Sequence, residues 1–190
     1  AIIGFQGLYV GWQHDAERGM IEWHIADGQI WHQNYDPYDV FSFEKSRGIA
    51  PAGLDDENSV EFLVSQGVVY PNGRSRNVII KGIETEQNIL KFPSEYLTKE
   101  QEKHKIVLGH RMAGKLGLKE GDTVTLRWRN QYGSFAANDF VVAHIFKTTI
   151  QRLDMGIIWV GLEELREMLE IGNEVTYISF KGPIPAFSKS

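Results

Sequence analysis

From Thr123 to Arg129 apolar and polar residues alternate without a break: Val124, Leu126 and Trp128 fall on one side, Thr123, Thr125 and Arg127 on the other. A period of two predicts a half-buried strand. The period changes just upstream. Met112 and Leu116 stand one turn apart within residues 110–116, which predicts a short helix with both side chains on its buried side. Gly117 fits the left-handed position that ends a helix, Leu118 folds back on the last turn, and residues 119–122 turn the chain into the strand. Residues 106–108 form a short strand before the helix. Downstream, "NQYGS" turns the chain, 139–146 return it, and 157–160 make another strand. Leu162, Leu165, Met168 and Leu169 mark an amphipathic helix closed by Gly172, and 175–180 form a last strand.

The first half is less regular. Residues 8–20 suggest a helix interrupted by Gly11 and Gly19. From 20 to 32, Met20, Ile21, Trp23, Ile25 and Ile30 suggest extended chain on either side of Asp27-Gly28. The stretch 34–59 is dense in Asp, Pro, Gly and Ser; it predicts a long loop holding one short element, and a subdomain junction near 36–60. Residues 60–70 form a strand, Asn72-Gly73 the tip of a hairpin, and 77–82 the returning strand with Val78 and Ile80 on one face. Residues 84–103 are polar, a loop with a helical turn. The fold class is α+β, with a mainly antiparallel sheet and a few short helices.

Composition narrows the function. In 190 residues the net charge is −5, so the basic face that neutralises phosphates along a nucleic acid is missing as a bulk property. There is no cysteine, which excludes disulfides, thiol nucleophiles and thiolate metal sites. No apolar run reaches the roughly 18–20 residues of a membrane span, and "AIIGFQGLYVGW" lacks the basic leader of a signal peptide.

Each chemistry-bearing cluster has a structural alternative. Gly109 and Lys115 invite comparison with a phosphate loop, but a phosphate loop needs several glycines at a helix N-terminus followed by Lys-Ser/Thr; here one glycine precedes the helix and Lys115 lies at its far end. His24 and His32, with Asp36 and Asp39 behind them, carry metal-ligand chemistry without a tight ligand spacing. His104, His110 and His144 are isolated. Trp23, Trp31, Tyr35, Tyr38, Phe41 and Phe43 suit either sugar stacking or core packing, and core packing is the commoner use. Asp55-Asp56 falls in a loop and Glu163-Glu164 on the outer face of a helix, where solvated charge is the default. No Gly-x-Ser-x-Gly element is present.

The run "IVLGHRMAGKLGLKEGDTVTLRW", followed by "NDFVVAHIFKTTIQRLDMGIIWVGLEELREMLEIGNEVTYISF", resembles the extracytoplasmic domain of FtsX/MacB-type ABC transporter permeases, the group that includes lipoprotein-releasing permeases. Gly109, Ala113, Leu116, Gly117, Gly121, Asp122, Val124, Ile145, Phe146, Thr148, Leu162 and Leu165 stand in the family's order. "DGQIWHQNYDPYD" is similar to a second family segment through Gly28, Ile30, His32, Tyr35 and Pro37, so the match runs from about 28 to 180.

The resemblance implies a MacB-like periplasmic core over 28–180, a membrane-proximal segment over 1–27 following a first membrane helix, and a tail over 181–190. It further implies a place on the periplasmic side of a bacterial inner membrane. It implies no cofactor in this domain, with ATP bound by a separate cytoplasmic ABC ATPase subunit. A second permease copy or paralogue and a periplasmic adaptor or carrier protein are the other implied partners, with no nucleic acid. Some relatives dock a carrier through a long hairpin where this chain has the compact "RNQYGSFAAND"; the positions that fall there are Asn130, Gln131, Tyr132 and Phe135. Two alternatives stand beside this reading: a metal-binding or enzymatic β-barrel using His24 and His32, because "LGLxxGDxVTL" segments also occur in such barrels, and a glycan-binding module using the Trp/Tyr cluster.

Overall fold

A computed structural model describes residues 5–8, 21–51, 54, 57–98 and 103–183. The strands in chain order are β1 Phe5–Leu8, β2 Gly28–His32, β3 Gly48–Ile49, β4 Ser59–Tyr70, β5 Arg76–Ile83, β6 Lys105–Gly109, β7 Thr123–Arg129, β8 Phe135–Phe146, β9 Ile157–Gly161, β10 Glu174–Val175 and β11 Tyr177–Phe180. Among the described residues three α-helices join them: α1 His110–Leu116, α2 Gln151–Asp154 and α3 Leu162–Leu169.

Six strands close on themselves. The long strand β4 runs antiparallel to β5 along one edge, and along the other it takes β11 at 59–62 and β7 at 67–70. From β5 the ladder passes to β9, β6, β8 and β7, and so returns to β4. The pairs β5–β9 and β6–β8 are parallel and the other links of the ring antiparallel. The seam with β7 closes the ring at 67–70, and farther along the same edge of β4 the partners come from β11 and the Thr176 hydroxyl, which accepts from Val64 N–H.

One apolar cluster draws Leu63, Ile80, Leu108, Leu126, Phe140 and Val160 from the six strands in turn, and α1 and α3 cover it with Met112, Leu116, Leu165 and Leu169. A second cluster uses the opposite faces: Phe62, Ile83, Val107, Phe146 and Trp159, packed with Phe43, Phe92 and Leu153. Strands buried on both faces read as unbroken apolar runs, and "IIWVG" of β9 is buried at every position. The β1–β2 ribbon lies beside β11, where Asp27 N–H donates to Phe180 O and His32 N–H to Thr176 O.

Several expectations hold. The α1 helix spans His110–Leu116 and ends at Gly117 with φ 69°, where Leu118 N–H donates to Ala113 O. Asn72 (φ 50°) and Gly73 (φ 75°) form the β4–β5 tip with two positive-φ residues, the turn that matches strand twist.

Others need correction. The sheet is mixed, because parallel neighbours come from distant segments that alternation cannot pair. Residues 21–25 are a turn of π-helix, not extended chain, and Ala26 leaves it with φ 56°. The returning strand begins at Phe135, four residues before 139, held by backbone pairing to β7 although its first residues are exposed. The chain after Thr148 contains the short α2. The last strand breaks at Thr176 into β10, paired with β3, and β11, paired with β4. The α3 helix ends at Glu170 (φ 58°), two residues before Gly172. The helix expected over 8–20 lies outside the described residues, apart from Leu8, which closes β1.

Candidate functional site

The β7–β8 turn carries the four positions singled out in the sequence, and they divide into two pairs. Asn130 is buried. Its Oδ1 accepts from Tyr132 N–H at 3.1 Å and Ser134 N–H at 2.9 Å, and its Nδ2 donates to Glu170 Oε1 at 2.7 Å. Gln131 N–H donates to Leu169 O at 3.0 Å, and the Gln131 side-chain amide donates to Glu170 O. These two residues tie the turn to the end of α3. They also explain the helix cap: a left-handed glutamate is strained, and the Asn130 and Gln131 bonds hold it there. Tyr132 and Phe135, by contrast, stand 74% and 69% exposed.

Below the turn runs a groove of about 450 Å³ between Phe41 and the outer faces of β4, β5 and β7. Phe41 is exposed at its rim. The Arg127 guanidinium lies 5.0 Å from the Phe135 ring centre and 5.9 Å from that of Tyr70, an arrangement of cation against π-face. Arg129 pairs with Glu44 across the groove at 3.7 Å. Apolar rings beside exposed cations make a surface suited to contact with another molecule rather than to bond chemistry.

A second polar centre is buried. His24 from the π-turn, Lys81 from β5 and Tyr177 from β11 meet with Tyr177 Oη 2.7 Å from His24 Nε2 and Lys81 Nζ 3.3 Å from each. Gln29 Nε2 donates to His24 O and Ser179 Oγ. Burial pushes the Lys81 ammonium down to about 7, helped by Arg152. Burial likewise lowers His24 well below its ordinary value, with Lys81 and Arg152 adding to it. The Tyr177 hydroxyl is pushed far up by burial, with Tyr35 adding to it. Tyr35 rises to about 12 through burial, against the pull of Arg152 and with Asp36 behind it. The sequence signal for this centre was Lys81 itself, one charge inside the apolar run "VIIKGI".

The metal candidates do not converge. The neighbour of His24 is an ammonium, and His32 is buried, where desolvation lowers its pKa against Glu174. Asp36 accepts from Tyr38 N–H, and Asp39 from Phe41 N–H as the cap of a 3-10 turn, Val40–Lys45. No group of three metal-ligating side chains is found among the described residues. Of the aromatics, Trp31 is stacked between Tyr35 and Tyr177, with centroids 4.6 and 3.9 Å away, so it is packed and unavailable to a sugar ring; Tyr38 and Phe41 are exposed. Glu164 is not solvated as expected: it is buried and bonded to His104. Glu163 remains at the surface and pairs with Arg166 at 2.6 Å. The pair Asp55-Asp56 lies outside the described residues. A larger groove, of about 900 Å³, is lined by Glu57, Glu84, Glu86, Glu163 and Glu164 with no basic residue among its described walls.

A closed mixed barrel with two covering helices and an aromatic, cationic outer groove is a scaffold with a contact face. No protein-family model matches the sequence, and no curated protein matches it significantly. Among solved structures, the chain is similar to the periplasmic region of MacB from Actinobacillus actinomycetemcomitans at 12% identity and a TM-score of 0.44, over 67% of this chain and 59% of that one. It is also similar to the extracellular domain of the noncanonic ABC-type transporter YknZ from Gram-positive bacteria, at 12% identity and a TM-score of 0.45, over 79% of this chain and 74% of that one. No helix among the described residues is long and apolar enough to cross a membrane.

Proposed function

We propose that this chain is the extracytoplasmic domain of an ABC transporter permease, carries out no catalytic step, and engages a substrate or partner protein outside the membrane. One observation carries the reading: the residues of the family-like run are spent on backbone geometry. Gly109 makes room for Asp154, Gly117 and Gly121 take positive φ, and Asp122 Oδ2 caps the turn by accepting from Lys119 N–H at 2.8 Å. A run that follows a family's order and whose matched glycines and aspartate serve turns and close packing reads as a fold signature. The placement of β1 and β2 beside β11 adds support, since the N-terminal ribbon and the final strand share one flank, as suits a domain tethered there at both ends. In this reading the core is 28–180, membrane helices flank it, and a cytoplasmic ATPase drives the assembly from the other side. Tyr132 and Phe135 are the contact residues, whereas Asn130 and Gln131 hold the turn that presents them. A lipoprotein is one substrate this class of permease handles.

The test is the native gene on either side of the 190 codons. Apolar segments of roughly 20 residues are expected both upstream and downstream. Their absence on both sides would sink the proposal.

A further inference from the structure

The "GHRMAGKLG" segment does not form a phosphate loop, but the fold brings its Lys115 to two cations from another part of the chain. Arg74, in the β4–β5 turn, and Arg76, the first residue of β5, line a hollow of about 370 Å³ together with Asn72, Gly114, Lys115 and Gly117. The hollow lies between two turns that touch: the Asn72 amide nitrogen stands 3.7 Å from where a Cβ on Gly117 would sit. Among the described residues no carboxylate lines it, and Arg74, Arg76 and Lys115 form no ion pair. In a chain of net charge −5 this is a local reversal of sign, and the large glutamate-lined groove shows that charge is segregated over the surface.

The polar side chains available are all donors or bear donors: two guanidinium forks, one ammonium and the Asn72 amide. Nothing covers the backbone at Gly114, where an added Cβ would meet no atom within 4 Å. Two of the carbonyls at the end of α1 already accept bonds, because Gly117 N–H donates to Gly114 O and Leu118 N–H to Ala113 O, which lessens the repulsion an anion meets there. Two planar forks beside a point charge match the several oxygens of a phosphate better than the two of a carboxylate.

We infer that this hollow binds a phosphate group, borne by a phospholipid headgroup or present as a free phosphate ion. Its position between the β4–β5 tip and the end of α1 is open to solvent, and its volume exceeds that of the bare ion.

Two probes separate the sources, both applied to the 190-residue chain at low ionic strength. Inorganic phosphate is titrated while the Arg74 and Arg76 Nε–H and the Gly114 and Gly117 amide resonances are followed. Co-sedimentation is measured with phosphatidylglycerol vesicles against pure phosphatidylcholine vesicles. Saturable shifts at those four residues assign the site to free phosphate; retention on phosphatidylglycerol with weak shifts assigns it to a headgroup. In either case Arg74→Gln/Arg76→Gln/Lys115→Gln weakens binding by about tenfold or more, because each lost charge removes a charge-assisted bond. Circular dichroism confirms that the triple variant is folded, which its exposed side chains permit. Lys45→Gln/Lys147→Gln, two exposed cations elsewhere, leaves binding unchanged. Absence of both shifts and retention overturns the inference. So does a triple variant that binds like the parent, or a control variant that weakens binding equally.

Discussion

Gly109 and Asp154 stand so close that a Cβ on Gly109 would lie 2.1 Å from Asp154 Oδ1 and 2.5 Å from Asp154 Cα. The contact lets Asp154 Oδ1 accept from Arg111 N–H at 2.8 Å, and Oδ2 pairs with Arg111 Nη1 at 2.7 Å. A carboxylate from α2 thus supplies the cap that α1 lacks in its own sequence, since its N-cap residue is a glycine without a side chain.

Gly109→Ala therefore destabilises the fold, at or above the roughly 1–3 kcal/mol typical of overpacking, because one obstructing atom is backbone. The two partners of the ion pair are unequal. Asp154 is buried and Arg111 half-exposed, so Arg111→Met strands a buried carboxylate whereas Asp154→Asn leaves a guanidinium that water can solvate. Urea denaturation is expected to show the arginine substitution as the costlier by about 1–2 kcal/mol. Equal costs would mean that the carboxylate is not held in the way described.

The buried Lys81 makes stability depend on pH in a definite direction. Its folded value of about 7 lies below the ordinary 10.5, so between these limits the unfolded chain binds more protons and stability rises with pH. Tyr177 and Tyr35 act oppositely. Their hydroxyls are held above the ordinary 10.0, so above that pH the unfolded chain loses protons first and stability falls. Lys81→Met fills the space over Trp159 and Tyr177 with an uncharged chain. Melting temperature against pH is expected to lose its rising limb between about 7 and 10.5 and to keep the falling one, with a gain of a few kcal/mol at pH 7. A variant with the parent's slope would remove Lys81 as the cause.

Local features were legible and long-range ones were not. The α1 helix, Gly117 and the Asn72-Gly73 tip were readable because periodicity and turn chemistry act within a few residues. Closure of the ring was not, since β4 and β7 are paired by residues about 60 positions apart and leave no local pattern. The same reason hides the fate of Glu164, whose partner His104 is 60 residues away, and the cap at Glu170, which depends on Asn130. At the candidate site, the sequence marked the β7–β8 turn but gave no means to separate the buried Asn130 from the exposed Phe135.

That separation is itself testable. Asn130→Ala removes two bonds that shape the turn and one that holds Glu170, and is expected to cost roughly 1–3 kcal/mol. Tyr132→Ala and Phe135→Ala remove exposed rings and are expected to stay within about 0.5 kcal/mol of the parent. If the proposed function holds and the turn presents a contact face, the two ring variants lose capture of a partner by the full-length protein while keeping the melting curve. Loss of stability on removing either ring would assign them to packing instead.

Gly67 sits where the ring closes. A Cβ there would stand 2.7 Å from Ile80 Cδ1 and 2.8 Å from Arg127 O. The first clash is with the free end of a side chain, which can turn away; the second is with backbone that belongs to the β4–β7 seam, which is four registered pairs long. Gly67→Ala should therefore act on the seam before it acts on the core, at a cost of about 1–3 kcal/mol. Hydrogen exchange can tell these apart. Faster exchange at residues 67–70 and 125–128, with β5–β9 and β6–β8 protected as before, is the expected pattern, because the substitution loosens the link it clashes with and local opening need not be global. Uniform acceleration over all six strands would instead mean that the ring opens only as a whole, and the seam would then be no weaker than the rest of the barrel.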